Sequence, residues 1–147
     1  MAEIIRKEGL LIDGEERSWE EALNICGNLM MRLGSIKEGY IQAMINAVLE
    51  LGPYIVIAPN IALAHAAAGK HVLKDDLVLT VFKKPVIFNS NNDPVYLMFG
   101  LCATEPRKHI DSLSRVAEAI SNEKTCQRLI TSTSIEELYT IINGEGL

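Results

Sequence analysis

His65 ends an apolar run, GPYIVIAPNIALAH, and is followed by Ala66, Ala67, Ala68 and Gly69. A neutral imidazole is nucleophilic near neutral pH, because its ordinary pKa is about 6.5. The small residues after it leave room for an incoming group or a docked partner. A second imidazole, His109, closely follows another long apolar run, near the expected start of a helix. If the strands ending near His65 and Ala103 are neighbours, the two rings can meet. The chemistry of such a pair is covalent transfer: a nucleophilic side chain splits one difficult step into two easier ones. A phosphoryl group on His65 would need donors that balance its charge without clamping it. A second histidine and the free N–H groups at the start of the helix after residue 105 would suit. Arg107 and Lys108 stand in that same turn. On generic grounds a strand-end histidine hydrogen-bonded to backbone is the commoner arrangement, so both readings stay open at this point.

Other chemistries find less support. The stretch AAAGKH lacks the first glycine of a phosphate-binding loop and has His71 where Ser or Thr would hold magnesium. No G-x-S-x-G elbow occurs. His65 and His71 are six residues apart, with Asp75 and Asp76 following, and do not share a helical face. No metal site and no organic cofactor are expected from these residues. His71 reads as a solvated loop residue. The three cysteines, Cys26, Cys102 and Cys126, are widely spaced and form no C-x-x-C. Cys26 and Cys102 fall in apolar periodic segments and read as core thiols.

The elements that must position the two histidines follow from periodicity. Ser18, Ser35 and Ser134 each precede a Glu by three residues, the signature of a capping box. After Ser18, the residues Ala22, Ile25, Cys26, Leu29, Met30 and Leu33 make a helical stripe that stops at Gly34. Ile41, Met44, Ile45 and Val48 make a second, halted at Gly52-Pro53. Pro106 can open a helix whose stripe is Ile110, Leu113, Val116, Ala117 and Ile120. Short helices are expected at 123–129 and after Ser134, the last closed by Gly144. Strands are expected at 54–58, 77–82, 86–88 and 95–103. The last is nearly all apolar and should be central, covered on both faces. Residues 89–93, NSNND, are dense in turn formers and should join two strands. The order predicts an α/β three-layer sandwich, a mixed β-sheet flanked by α-helices on both faces.

The chain has 147 residues, 48% of them hydrophobic and 22% charged, and residues 1–147 read as one domain with a sizeable core. The net charge of −5, with scattered basic residues, gives no broad basic face for nucleic acid. No apolar run is long enough to insert in a membrane, and the first residues lack a signal-peptide pattern. A cytoplasmic protein is expected.

The segments GPYIVIAPNIALAH and NDPVYLMFGLCATEPRKHIDSL, with SWEEAL and YIQAMI before them, resemble the enzyme IIA domain of the phosphoenolpyruvate-dependent sugar phosphotransferase system. The branch it resembles is the ascorbate-specific one of the mannitol–fructose superfamily, over nearly the whole chain. The resemblance implies a phosphocarrier that takes a phosphoryl group from the phosphocarrier protein HPr and passes it to a IIB component, which serves a membrane IIC. It implies that His65 is phosphorylated and His109 assists. L-ascorbate or a related pentitol or sugar acid would be the sugar. A related regulatory module, signalling by phosphorylation-dependent docking, is the alternative. The branch usually carries Pro before the active histidine and Gly-Arg-Pro after it; here stand Ala64 and Ala66, Ala67, Ala68. The missing arginine removes a planar cation suited to phosphate, and Arg107 or Lys108 would have to compensate. Asn60 stands where glycine is common, and asparagine tolerates the left-handed region.

Overall fold

The computed structural model describes residues 3–144. The elements run β1 (Leu10–Asp13), α1 (Trp19–Arg32), α2 (Glu38–Leu51), β2 (Val56–Ala58), β3 (Ile61–Ala64), β4 (Asp76–Val86), β5 (Val95–Cys102), α3 (Pro106–Ile120), α4 (Glu123–Thr131) and α5 (Ile135–Ile142). The five strands form one sheet in the order β1-β4-β5-β3-β2. β1 lies parallel to β4 and β3 parallel to β5, while β4–β5 and β2–β3 are antiparallel. β5 is central, as its unbroken apolarity requires.

Alternation along the strands builds two cores. Val78 and Phe82 of β4 and Met98 and Cys102 of β5 pack with α1 and α2. Leu77, Leu79 and Val81, with Leu97, Phe99 and Leu101, pack on the other face with α3, α4 and α5. The structure is therefore the three-layer α/β sandwich with a mixed sheet that the sequence predicts. All three cysteines are buried and free. Burial pushes the Cys26 and Cys102 thiols up to about 12, which leaves them unreactive packing groups.

Three local expectations meet corrections. Ser18 and Glu21 do form a reciprocal capping box on α1. Ser35 does not cap α2, which begins after Lys37. Its N–H bonds back to Met30 O, and that of Gly34 (φ 75°) to Met31 O, which closes α1 as a Schellman motif. The Ser35 hydroxyl is turned inward and donates to the buried carboxylate of Asp76, which also holds Arg6 in a two-pronged pair. At Ser134 the hydroxyl accepts from Glu137 N–H, but the Glu137 carboxylate reaches one residue further, to Thr133 N–H.

Residues 77–82 and 86–88 are not two strands. β4 runs through Lys83, Lys84 and Pro85, and its pairing with β5 shifts register between Val81 and Val86. Such an irregularity accommodates a proline, which has no ladder N–H to give. Phe88 lies beyond the strand, its ring centroid 6.2 Å from that of Trp19. The NSNND segment does join β4 to β5, and Asp93 holds it by accepting from the N–H groups of Phe88 and Ser90.

Gly100 shows how closely α1 approaches the sheet. A Cβ there would lie 2.6 Å from Cys26 Sγ and 2.7 Å from Val78 Cγ2. Gly100→Ala is expected to cost about 1–3 kcal/mol by overpacking. For a domain of this size that lowers Tm by roughly 2–12 °C. An unchanged calorimetric Tm would show that α1 can lift off β5 freely.

Candidate functional site

Because β3 and β5 are parallel, their C-terminal ends lie at the same edge of the sheet, with Ala64 opposite Gly100. Ligands of open α/β sheets characteristically bind beyond such strand ends. His65 follows β3 directly, and His109 lies in the first turn and a half of α3, seven residues past the end of β5. Their ring centroids are 6.2 Å apart, edge to face. The condition that the two strands be neighbours is met, and the two imidazoles meet.

His65 is half-buried, and its Nδ1 lies 2.8 Å from Leu63 O. A carbonyl oxygen only accepts, so Nδ1 carries the proton and the neutral ring keeps its lone pair on Nε2. The ring also stands edge-on to Tyr54, with centroids 5.5 Å apart. His109 Nε2 is buried and has no hydrogen-bond partner among the described residues. Buried polar atoms without partners are rare and call for an explanation. Burial, reinforced by the neighbouring His65, holds the pKa of His109 below its ordinary value, against a smaller opposite pull from Asp75.

This shift has a sign in stability. The unfolded chain protonates His109 at a higher pH than the folded one does, so the contribution is complete above the ordinary histidine pKa and is lost as pH falls through the folded value. Tm is expected to decline on acidification from about pH 7.5 to about 5, and His109→Gln to remove part of that decline. Calorimetry across that range checks it; superimposed profiles would rule out the linkage.

Both rings face an open cleft of about 560 Å³, walled by Ala43, Asn46, Ala47 and Glu50 of α2 and by Tyr54, Ala66 and Ala67. A larger concavity of about 660 Å³, beside Ile4, Arg115 and Asn143, holds no imidazole or thiol. Chemistry therefore points to the smaller one.

The loop after His65 is pinned. The hydroxyl of fully buried Tyr40, from α2, accepts from Ala66 N–H at 2.9 Å and lies 2.7 Å from Leu101 O, to which it donates. Burial raises the Tyr40 pKa, so the phenol keeps its proton. Gly69 N–H donates to Ala103 O. Asp75 ties the same region to α3, accepting from Thr104 N–H at 2.7 Å and from the Thr104 hydroxyl, and pairing with Lys108 Nζ at 3.2 Å. Partial desolvation pushes the Asp75 pKa up, but the Thr104 and Lys108 contacts outweigh it and the net shift is downward. Asn60 adopts φ 70°, and its side chain donates to Pro94 O, which holds the turn before β3 against the loop before β5.

Arg107 and Lys108 are exposed and line no part of the cleft. Lys108 is engaged by Asp75 and, more distantly, by Glu105. His71 is only half-solvated: its ring packs on Gly39, and its carbonyl accepts from Lys37 N–H. It lies outside the cleft. Among the described residues, no group of three or more His, Cys, Asp or Glu is placed to hold a metal ion, and no helix is long and apolar enough to cross a membrane. Sequence reasoning passed over Tyr40, Asn46 and Glu50, and weighed Asp75 only as a metal ligand. Tyr40 was the most findable: it lies on the buried stripe with Met44 and Val48, and a buried phenol needs a partner for its hydroxyl.

A mixed sheet between two helical layers thus sets two imidazoles beside a loop of small residues, at the C-terminal ends of two parallel strands. The chain belongs to the family described as phosphoenolpyruvate-dependent sugar phosphotransferase system, EIIA 2, which it matches over residues 3–145. It is 31% identical over 127 residues to the mannitol-specific cryptic phosphotransferase enzyme IIA component of Escherichia coli strain K12, covering 86% of each chain. It is 27% identical over 142 residues to the ascorbate-specific PTS system EIIA component of the same organism, covering 95% of this chain and 92% of that one. The fold matches that of enzyme IIA mannitol from Escherichia coli, solved in complex with phosphorylated enzyme IIB mannitol, with a TM-score of 0.84 at 24% identity, over 96% of this chain and 98% of that one. The chain is thus a component of a sugar phosphotransferase system. Identities of 31% and 27% do not separate mannitol-type from ascorbate-type relatives.

Proposed function

We propose that the chain is a cytoplasmic phosphocarrier that receives a phosphoryl group from phospho-HPr on His65 and passes it to a IIB component serving a membrane IIC. The observation that carries this reading is the hydrogen bond from His65 Nδ1–H to Leu63 O, which leaves Nε2 free at a cleft shared with a second imidazole. The Nε2 lone pair attacks phosphorus, the donor's P–N bond breaks, and its electron pair returns to the donor imidazole. Nδ1–H stays on His65 throughout, and the positive charge the ring gains is shared with Leu63 O. Onward transfer reverses this: the Nε2–P bond breaks, its pair returns to Nε2, and the ring is neutral again without losing a proton.

His109 assists by giving its otherwise partnerless Nε2 a phosphoryl oxygen to bind. Arg107 and Lys108, in the first turn of the same helix, add positive potential near the site rather than a direct contact. Arg107→Ala is therefore expected to slow transfer only severalfold, and an unchanged rate would remove Arg107 from the mechanism. L-ascorbate or a related pentitol or sugar acid is the proposed sugar, in line with the ascorbate-specific relative; the choice lies mainly with IIC. Incubation with phosphoenolpyruvate, enzyme I and HPr, followed by intact-mass measurement, tests the reading. One acid-labile phosphoryl group is expected. None would favour a module that docks without covalent transfer.

A further inference from the structure

We propose that Asn46 of α2 is a phosphoryl-binding residue of this site, with Gln42 as the residue that orients it; the inference rests on His65 being the carrier. A phosphoryl dianion offers only acceptors, so the cleft must supply donors. The wall that α2 contributes consists of Ala43, Asn46, Ala47 and Glu50. The alanines have no side-chain donor, and Glu50 brings an acceptor and a negative charge. Asn46 is the one residue of that wall whose side chain can donate.

Its amide is turned the right way. Gln42, one helical turn earlier, donates from Nε2 to Asn46 Oδ1 at 2.9 Å. The Asn46 oxygen is thereby occupied, and its NH₂ donates to no group among the described residues. A free NH₂ and an engaged oxygen are what an anion in the cleft requires. With Ala66–Ala68 beside His65 and Arg107 and Lys108 outside the cleft, no guanidinium or ammonium lines the site. A neutral amide holds the phosphoryl group more weakly than a fixed cation would. That favours onward release, and Glu50 on the same wall adds repulsion that acts in the same direction.

The test uses the intact protein and two donors, phospho-HPr and phosphoramidate, a small donor that needs no protein docking. With phosphoramidate, whose nitrogen already carries three protons near neutral pH, Nε2 of His65 attacks phosphorus, the P–N bond breaks, and the nitrogen leaves with the bonding pair as ammonia. Asn46→Ala and Asn46→Asp are expected to lower the rate of labelling with both donors by roughly 10- to 100-fold, the Asp variant more. Tm should stay near that of the wild type, since Asn46 is exposed. Gln42→Glu is the orienting test. A glutamate accepts from the Asn46 NH₂ and turns its oxygen to the cleft, so this variant should lose rate as Asn46→Ala does, whereas Gln42→Ala should lose less. The Asn46 side-chain amide resonance of the wild type should move on phosphorylation. A wild type that takes up label while the Asn46 variants match it with phosphoramidate would overturn this proposal alone. A loss seen only with phospho-HPr would overturn it too, by making Asn46 a docking residue. A wild type labelled by neither donor would overturn both this proposal and the carrier reading.

Discussion

His65→Ala is expected to stay folded and accept no phosphoryl group at all, while His109→Ala still accepts one, more slowly by about 10²-fold. The difference follows from what each ring offers. His65 presents Nε2 as a lone pair, because its only proton is committed to Leu63 O. Apart from His109, whose Nε2 is buried, the cleft around it is lined by alanines, an amide, a carboxylate and a phenol. His109 offers a buried nitrogen that lacks a partner until a phosphoryl oxygen arrives, so its loss removes stabilisation but not the bond-forming atom. Stability should change little in His65→Ala, since the ring is half-exposed and gives up one hydrogen bond and two edge contacts. His65→Gln sharpens the comparison, for its amide can still donate to Leu63 O but has no nucleophile. Intact-mass measurement after incubation with phospho-HPr reads all three variants. Label retained in His65→Ala and abolished in His109→Ala would exchange the two roles.

What the sequence disclosed and what it withheld divide along physical lines. Helices α1 and α2 announced themselves because each buries one stripe, and β5 because it buries both faces. α3 was legible from its period and Pro106, but of its expected stripe only Val116 is buried, while Ile110, Leu113 and Ala117 are exposed because the helix touches the sheet chiefly through its second half. The pairing of His65 with His109 was legible only as a condition, since strand order is a long-range property that no local pattern encodes. β1 was missed: four residues with one buried and three half-buried carry little period, and pairing with β4 supplies the rest. Ser35 misled because Ser-x-x-Glu is a local signal, while the Asp76 carboxylate that claims its hydroxyl lies 41 residues away. Arg107 and Lys108 were chosen for charge and proximity in sequence. The partner that engages Lys108, Asp75, comes from the segment before β4. Asn46 and Glu50 looked like ordinary polar positions on a helix, because only the fold reveals that this stretch of α2 walls the cleft.

Tyr40→Phe is expected to lower stability by about 2–4 kcal/mol although it removes only one oxygen atom. The phenol has no exposure, so water cannot replace it. Its hydroxyl accepts from Ala66 N–H and donates to Leu101 O. Phenylalanine fills the same space and leaves both groups buried and unpaired, each at about 1–3 kcal/mol. The corresponding fall in Tm is roughly 5–15 °C for a domain of this size. The two orphaned groups also locate a functional effect. Ala66 is the residue after His65, and Leu101 lies at the end of β5, so the hydroxyl rivets the loop after His65 to the strand that leads to His109. Without it the two rings lose their fixed separation, and the rate of phosphoryl acceptance is expected to drop roughly tenfold at temperatures where the variant remains folded. A rate that falls no more than the folded fraction would make Tyr40 a purely structural residue. Full activity with an unchanged Tm would mean that the loop is held by Gly69 and Asp75 alone.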